Sequence, residues 1–209
     1  MSQIKNIIFD LGGVIINLDI NKTIQEFNEL SKKPFETIYS QLQQTSIFDE
    51  FDKGEIAEND FFNELQKALE LNIPKENLLF AWNAMLLDFP KQRLDLLKKL
   101  KPNYRLFLLS NTNETHVAEF EKSLFNAHGY QNLEAFFEKV YYSCRIGKRK
   151  PNTDIFEYLL KTHNLNPHET LFIDDSPQHI EGAIKTGIYA KLLAKDREVE
   201  DLLKELELI

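Results

Sequence analysis

The hydrophobic residues of this chain form short runs that each end at a polar or glycine-rich segment. Residues 4–9, 105–109 and 170–173 are rich in Ile, Leu and Phe, and they lead into Asp-Leu-Gly-Gly, Ser-Asn-Thr-Asn and Asp-Asp-Ser-Pro. Short apolar runs bounded by turn residues are typical of buried strands. Residues 139–142 and 188–193 carry a weaker version of the pattern. We therefore predict strands in these five ranges.

Between these runs the hydrophobic residues recur every three or four positions, which is the period of an amphipathic helix. The pattern is visible at Leu94, Leu97 and Leu100, at Ile155, Phe156, Leu159 and Leu160, and at Val199, Leu202, Leu203 and Leu206. Strands and helices alternate from about residue 90 onward. That alternation predicts an α/β fold whose core is a doubly wound, Rossmann-like parallel sheet with helices on both faces.

The first two strong strand patterns are further apart than a crossover requires. Asp10 and Ser110 are separated by 100 positions, whereas a strand–helix–strand unit takes about 30 residues. The additional residues between these two strands carry helical patterns at 21–30, 34–44, 59–71 and 75–87. They therefore predict an inserted helical domain.

We place this helical cap at residues 16–86 and the α/β core at residues 1–15 and 87–209, with linkers near 16–20 and 85–90. The cap is predicted to bury its own aromatic cluster, because large aromatic side chains are usually buried. This cluster comprises Phe48, Phe51, Phe61, Phe62, Phe80 and Trp82.

Composition narrows the functional classes. Among 209 residues, 33 Asp and Glu against 25 Lys and Arg give a formal net charge of −8, which argues against a nucleic-acid-binding surface. The single cysteine, Cys144, excludes an internal disulfide and is interpreted as a small apolar filler. No apolar run approaches the ~20 residues of a membrane span, and the N-terminus lacks a signal-peptide pattern. We expect a cytoplasmic protein without membrane or nucleic-acid partners; the oligomeric state stays open.

Polar residues follow three of the predicted strands. Asp10, Ser110 and the pair Asp174-Asp175 stand at their carboxyl ends, and Lys150 follows the fourth, with Pro151 placed to open a helix. Ligands of open parallel sheets bind outside this edge. Each residue alone could be a turn, cap or solvated residue. Together, a carboxylate nucleophile, a hydroxyl, a lysine and paired carboxylates indicate phosphoryl transfer.

These segments resemble the motifs of the haloacid dehalogenase (HAD) superfamily, which carries a helical cap after its first motif. In chain order they are Phe9-Asp10-Leu11-Gly12-Gly13-Val14, Leu109-Ser110-Asn111-Thr112, Lys150-Pro151 and Ile173-Asp174-Asp175-Ser176. Within that superfamily they are similar to the bacterial α-D-glucose-1-phosphate phosphatases and to the phosphatase domain of soluble epoxide hydrolases. The resemblance implies a Mg²⁺-dependent phosphatase of small phosphorylated metabolites, with sugar 1-phosphates among the candidate substrates.

The resemblance also implies roles for individual residues. Asp10 would attack phosphorus and form an aspartyl-phosphate. Asp10, Asp175 and the Gly12 carbonyl would hold Mg²⁺, which screens the charge between carboxylate and phosphate, and Asp174 would orient the metal's waters.

A second group of residues would hold the substrate. Ser110 and the backbone N–H of Asn111 would bind the phosphoryl oxygens, and Lys150 would neutralise the charge on Asp10 and the phosphate. His116 would contact the substrate if a helix begins near Asn113. The role of the basic cluster Arg145, Lys148 and Arg149, either a solvated surface or part of the phosphate site, stays open.

Two positions depart from the family pattern. Gly12 stands where the family's phosphatases usually carry a second Asp as general acid and base, which is typically worth about 10²–10⁴-fold in rate. His179 stands where relatives usually have Asp or Asn, and it is either an ordinary first-turn helix residue or part of the site.

Two alternatives to the phosphatase stay open. One is a metal-free dehalogenase whose Asp10 attacks carbon, which the pair Asp174-Asp175 disfavours because these carboxylates and Asp10 would repel one another without a cation. The other is a non-catalytic protein that binds phosphorylated ligands and has lost the acid–base group.

Overall fold

The computed structural model of the chain describes residues 3–39 and 46–209. Its strands are β1 (Asn6–Phe9), β2 (Arg105–Ser110), β3 (Lys139–Tyr142), β4 (Thr170–Asp174) and β5 (Tyr189–Leu192). Its α-helices are α1 (Ile20–Leu30), α2 (Ser46–Asp52), α3 (Glu58–Leu69), α4 (Lys75–Asn83), α5 (Lys91–Leu100), α6 (Glu114–His128), α7 (Ser143–Ile146), α8 (Thr153–His163), α9 (Pro177–Ile184) and α10 (Val199–Glu205). None of these described helices is long and apolar enough to cross a membrane.

The five strands form one parallel sheet in the order β3-β2-β1-β4-β5. This arrangement confirms the predicted doubly wound α/β core. The central strand is β1, and its last residue, Phe9, pairs with Leu108 on one side and with Ile173 on the other. Consequently the residues that follow these three positions come together at one edge of the sheet.

Both faces of the sheet are buried, as a parallel sheet requires. Along β1, Ile7 and Phe9 pack into one hydrophobic cluster with residues of α5, α6 and α10, whereas Ile8 packs into the opposite cluster with residues of α8 and α9. Alternate side chains of a strand point to opposite faces. Burial on both faces explains why the strands are continuous apolar runs.

The helices between β1 and α5 surround a separate hydrophobic cluster. It contains Phe27 of α1, Phe48 of α2, Phe61 of α3 and Trp82 of α4. One predicted member is wrong: Phe80 is 66% exposed. Leu78, Ala81 and Trp82 form the buried face of α4, and a residue two positions beyond Leu78 lies on the far side of the helix.

Two predicted helix boundaries also need correction. The segment 34–44 shows a short 3₁₀ helix at Phe35–Thr37, and its residues 40–44 lie outside the described residues. Pro151 does not open a helix, because α8 begins at Thr153 with Asn152 as its N-cap.

The two segments that join the helical cluster to the sheet run side by side. The Asn17 N–H donates to the Asp88 carbonyl at 2.9 Å and the Leu87 N–H to the Asn17 carbonyl at 3.1 Å. The Asn17 and Asp88 side chains are joined by a 3.0 Å hydrogen bond. Asp19 then caps α1 through the Asn21 N–H. Backbone pairing therefore ties the start of the helical segment to its end.

Candidate active site

The sheet places the first and last acidic motifs beside each other. The Asp10 N–H donates to the Ile173 carbonyl at 2.9 Å, so Asp10 and Asp174 leave neighbouring strands at the same level. Ser110 ends β2 on the other side of β1. All three residues are buried. The predicted meeting of polar residues at this edge is thus present in the fold.

Lys150 joins the two carboxylates. Its Nζ atom lies 2.6 Å from an oxygen of Asp10 and 2.6 Å from an oxygen of Asp174, and its side chain is 0% exposed. Burial alone would lower the pKa of this ammonium, but the two carboxylates raise it above its usual value. The two carboxylates therefore favour the charged form of the lysine that lies beneath the site.

Asp174 is held by three groups at once. Besides Lys150, its carboxylate accepts from the Ser176 N–H at 2.8 Å and from Nδ1 of His179 at 2.9 Å. Burial would raise the pKa of Asp174, but Lys150 and His179 bring it below its ordinary value. These hydrogen bonds fit two roles of Asp174: positioning Lys150, and the predicted role of ordering waters bound to the metal. His179 belongs to the site, which answers one question that the sequence left open.

Asp175 has no ion pair within the part of the chain that the structure describes. Oxygens of Asp10, Asp174 and Asp175 all lie within 4.8 Å of one another. Burial, reinforced by the neighbouring Asp10 and Asp174, raises the pKa of Asp175 to about 7, and burial also raises the pKa of Asp10. Three carboxylates facing one lysine fit a divalent cation with a preference for oxygen ligands, such as Mg²⁺.

The loop after β2 is anchored through side chains. The Asn111 amide makes two 2.9 Å hydrogen bonds with the Lys150 backbone, donating to its carbonyl and accepting from its N–H. The Ser143 hydroxyl donates to the Thr112 carbonyl and accepts from the Thr112 N–H. The Asn111 side chain therefore fixes the lysine loop, a role that the sequence analysis did not assign.

The turn after β1 explains both glycines of the first motif. Gly13 has a φ of +70°, and a Cβ atom there would stand 2.5 Å from an oxygen of Asp175. A Cβ atom on Gly12 would stand 2.4 Å from Cδ1 of Leu18. Leu18 thus fills the space in which the missing general acid would begin.

A cavity of about 590 Å³ opens above this edge of the sheet. Its floor includes Asp10, Ser110, Lys150 and Asp175. Its opposite wall comes from the helical segment and the connectors, with Leu18, Ile20, Tyr39, Phe48, Asp49, Asp52, Trp82, Met85 and Leu86. The volume suits a small metabolite.

His116 lines this cavity, but its ring also joins α6 to α4. The ring stacks on Trp82 with centroids 4.9 Å apart, Nε2 donates to the Trp82 carbonyl at 3.2 Å, and Nδ1 accepts from the Asn113 amide at 3.4 Å. Burial lowers the pKa of His116 to about 4. The neutral ring therefore connects α6 to α4 through stacking and hydrogen bonds. Contact between His116 and a substrate stays a prediction.

The basic cluster divides into surface and site. Arg145 pairs with Glu114 and Lys148 with Asp154. Arg149 instead turns into the cavity. It is the member of the cluster that belongs to the site.

Arg149 forms ion pairs with Asp49 and Asp52 of α2. Asn113 also donates to Asp52, at 3.4 Å, and begins α6 by accepting from the His116 N–H. Sequence reasoning missed this group, because residues some 100 positions apart form it and no local motif marks them.

Comparisons with known proteins identify relatives of this chain in sequence and in structure. A model of the haloacid dehalogenase-like hydrolase family matches residues 4–187. The chain is 32% identical over 178 residues to the D-ribitol-5-phosphate phosphatase of Bacteroides thetaiotaomicron, covering 85% of this chain and 86% of that enzyme. A HAD family enzyme of the same organism, crystallised in complex with magnesium and inorganic phosphate, superposes with a TM-score of 0.84 at 34% identity, covering 95% of this chain and 98% of that chain. A HAD-like family hydrolase from Porphyromonas gingivalis gives a TM-score of 0.87 at 31% identity, covering 98% of both. This chain therefore belongs to the haloacid dehalogenase-like hydrolase family.

Proposed function

We propose that this protein is a Mg²⁺-dependent phosphatase that hydrolyses small phosphate monoesters through an aspartyl-phosphate on Asp10. The observation that carries the proposal is the cluster of Asp10, Asp174 and Asp175 around the buried Lys150, at the floor of a metabolite-sized cavity. In the family relative crystallised with both ligands, magnesium and inorganic phosphate are bound together.

In the first step, one oxygen of Asp10 attacks phosphorus and the leaving oxygen departs with the electron pair of its bond. Lys150 holds the other Asp10 oxygen, which fixes the direction of attack. A Mg²⁺ ion held by Asp10, Asp175 and the Gly12 carbonyl would supply positive charge for the phosphoryl group. In the second step, water attacks the aspartyl-phosphate, releases inorganic phosphate and regenerates Asp10.

Ser110 and the backbone N–H of Asn111 are proposed to hold the phosphoryl oxygens. Ser110 is buried at the end of β2, and among residues 3–39 and 46–209 its hydroxyl has one hydrogen bond, a long one of 3.4 Å to the Asn111 carbonyl. A hydroxyl without a short bond is free to turn toward an oxyanion. Asn111 is held in place by its side-chain bonds to the Lys150 backbone, so its N–H is preorganised.

For the substrate, we propose a monophosphate of a small polyhydroxy compound, either an alditol or a sugar. The curated relative is named for D-ribitol 5-phosphate, and the cavity combines apolar and polar walls. Glucose 1-phosphate remains a candidate within this class.

The test is turnover by purified protein of phenyl phosphate, ribitol 5-phosphate and glucose 1-phosphate, with Mg²⁺ and with excess chelator. Turnover that requires Mg²⁺ supports the proposal. Turnover of 2-chloropropionate with metal removed would indicate the dehalogenase instead. Tight binding of phosphate without any turnover would indicate a ligand-binding protein, the second candidate, which the absence of a side chain at Gly12 favours.

A further inference from the structure

The wall of the cavity that the helical segment forms, here called the cap wall, carries a group of charged residues: Asp49, Asp52 and the Arg149 that pairs with them. Asp49 and Asp52 lie one turn apart on α2, and both form ion pairs with Arg149. The side chains of Arg149 and Asp52 are only 17% and 15% exposed. All three residues line the cavity that contains Asp10. The Asp49 side chain is 45% exposed, so Asp52 and Arg149 are the enclosed charges, and little water remains to screen these two from whatever occupies the cavity.

Arg149 and Lys150 are neighbours in sequence but contact opposite sides of the cavity. Lys150 bonds to Asp10 and Asp174 on the floor, whereas Arg149 pairs with the carboxylates of α2. Since one arginine faces two aspartates there, the cap wall has a net negative charge. The charge of Arg149 is therefore already compensated before a ligand enters.

Hydrogen-bonding capacity nevertheless remains on this wall. Nη2 of Arg149 lies 3.8 Å from an oxygen of Asp52, which is longer than a hydrogen bond. The Asp52 carboxylate accepts one long hydrogen bond from Asn113, at 3.4 Å, and each carboxylate has about four acceptor positions. Hydroxyl groups can both donate to Asp52 and accept from Arg149, whereas an anionic group would meet the excess negative charge.

We propose that Asp49, Asp52 and Arg149 are specificity-determining residues that bind hydroxyls at the end of the substrate remote from the phosphate and reject a second anionic group there. The inference rests on the proposed phosphatase function and narrows it to monophosphates with an uncharged, hydroxylated end. Tyr39, Phe48 and Trp82 lie beside the charged group, and the described residues that line this wall include no lysine or arginine other than Arg149 to receive an anion.

Two substrates of the same length and configuration test the proposal. Glucitol 6-phosphate and gluconate 6-phosphate differ only at carbon 1, which is a hydroxymethyl group in the first and a carboxylate in the second. The wild-type protein should prefer glucitol 6-phosphate by at least about 10-fold in kcat/KM, since like charges in a weakly screened site repel strongly. Asp52→Asn, which keeps the shape of the side chain, should lower this preference by about 5- to 10-fold. Asp49→Asn should lower it in the same direction.

The matched control is Asp60→Asn, which removes the same charge from an exposed position of α3 outside the cavity. It should leave the preference at the wild-type value. Equal kcat/KM for both substrates in the wild type, or an Asp52→Asn preference equal to that of Asp60→Asn, would overturn the proposed selectivity while the phosphatase function stands. Failure of the wild type to hydrolyse phenyl phosphate with Mg²⁺ would overturn both.

Discussion

Asp10 is held as a nucleophile by a balance of charges. Burial and the neighbouring Asp174 raise its pKa, while the Lys150 ammonium 2.6 Å away opposes that rise. Lys150 is shared with Asp174, so one positive charge serves two carboxylates. The negative charges of the site therefore repel one another, and a bound cation would reduce this repulsion. The geometry of the site depends on Asp10, Lys150 and Asp174 alike.

Asp10→Asn tests the nucleophile. The amide keeps the size of the side chain but cannot attack phosphorus, so turnover of phenyl phosphate should fall by at least 10³-fold, an order-of-magnitude figure for the loss of a covalent nucleophile. Acid quenching during turnover should trap phosphate on the wild-type chain and not on the variant. Residual activity of a tenth of the wild-type rate in a correctly folded variant would remove Asp10 from the mechanism.

Gly12 predicts a rate order set by the leaving group. Without a side chain to protonate the departing oxygen, phosphates of acidic alcohols should react fastest. We expect kcat/KM to fall from phenyl phosphate through glucose 1-phosphate, whose anomeric hydroxyl is relatively acidic, to glucose 6-phosphate. Steady-state kinetics on the three substrates provide the measurement, and equal values for the two glucose phosphates would show that leaving-group acidity does not control the rate.

Restoring an acid at this position requires a second change. A Cβ on Gly12 would overlap Cδ1 of Leu18 at 2.4 Å and stand 3.9 Å from an oxygen of Asp10. Gly12→Asp combined with Leu18→Ala should therefore raise kcat/KM for glucose 6-phosphate by about 10- to 10²-fold, the lower part of the range for general acid catalysis. Leu18→Ala alone is the control. An increase of equal size for phenyl phosphate would argue against protonation of the leaving group.

At the scale of elements, α6 and α4 meet through His116 and Trp82. Stacking and the hydrogen bond from His116 to the Trp82 carbonyl join the helix after β2 to the helical segment. Since α6 begins at the phosphate loop, this contact couples the position of α4 to the active site. It also requires the neutral form of the imidazole.

This requirement predicts a pH dependence of stability. Burial lowers the pKa of His116 from 6.5 to about 4, so protons bind preferentially to the unfolded chain. The stability due to the neutral ring is complete above pH 6.5 and is lost as the pH falls toward 4. Between pH 7 and pH 4.5, the free energy of unfolding should decrease by about 2–3 kcal/mol more in the wild type than in His116→Gln. Urea unfolding at the two pH values measures this difference, and identical decreases would contradict it.

The positions of strands and helices could be predicted wherever a short stretch of sequence carries the pattern that determines them. The strand ends at Asp10 and Ser110 follow from apolar runs that stop at polar residues, and parallel pairing then brings them together. Phe80 was predicted incorrectly because hydrophobicity does not reveal which face of α4 is covered. The pairing of Arg149 with Asp49 and Asp52 was beyond sequence reasoning, since it depends on how the inserted helices sit over the sheet.

For the whole molecule, the two connectors determine how the helical segment can move. Asn17 and Asp88 pair through both backbone and side chains, which opposes sliding of one connector along the other. The ion pairs of Arg149 lie at a second contact between the two parts. We propose that residues 16–86 act as a lid that tilts about the connectors and closes over the phosphate, which would exclude water from the site.

Mg²⁺ should stabilise the entire fold, because ions that bind only the native state raise its stability by mass action. At 100 times its dissociation constant the gain is about 2.7 kcal/mol, or roughly 5–10 °C in Tm for a chain of this length. Asp175→Asn should abolish that shift and, in metal-free buffer at pH 8, raise the Tm above that of the wild type. Removing one of three clustered carboxylates relieves their repulsion. Asp60→Asn, at an exposed position of α3 outside the cavity, should keep the full response to Mg²⁺. Thermal melts of the three proteins with chelator and with Mg²⁺ measure both effects, and an undiminished Mg²⁺ shift in Asp175→Asn would exclude Asp175 as a ligand.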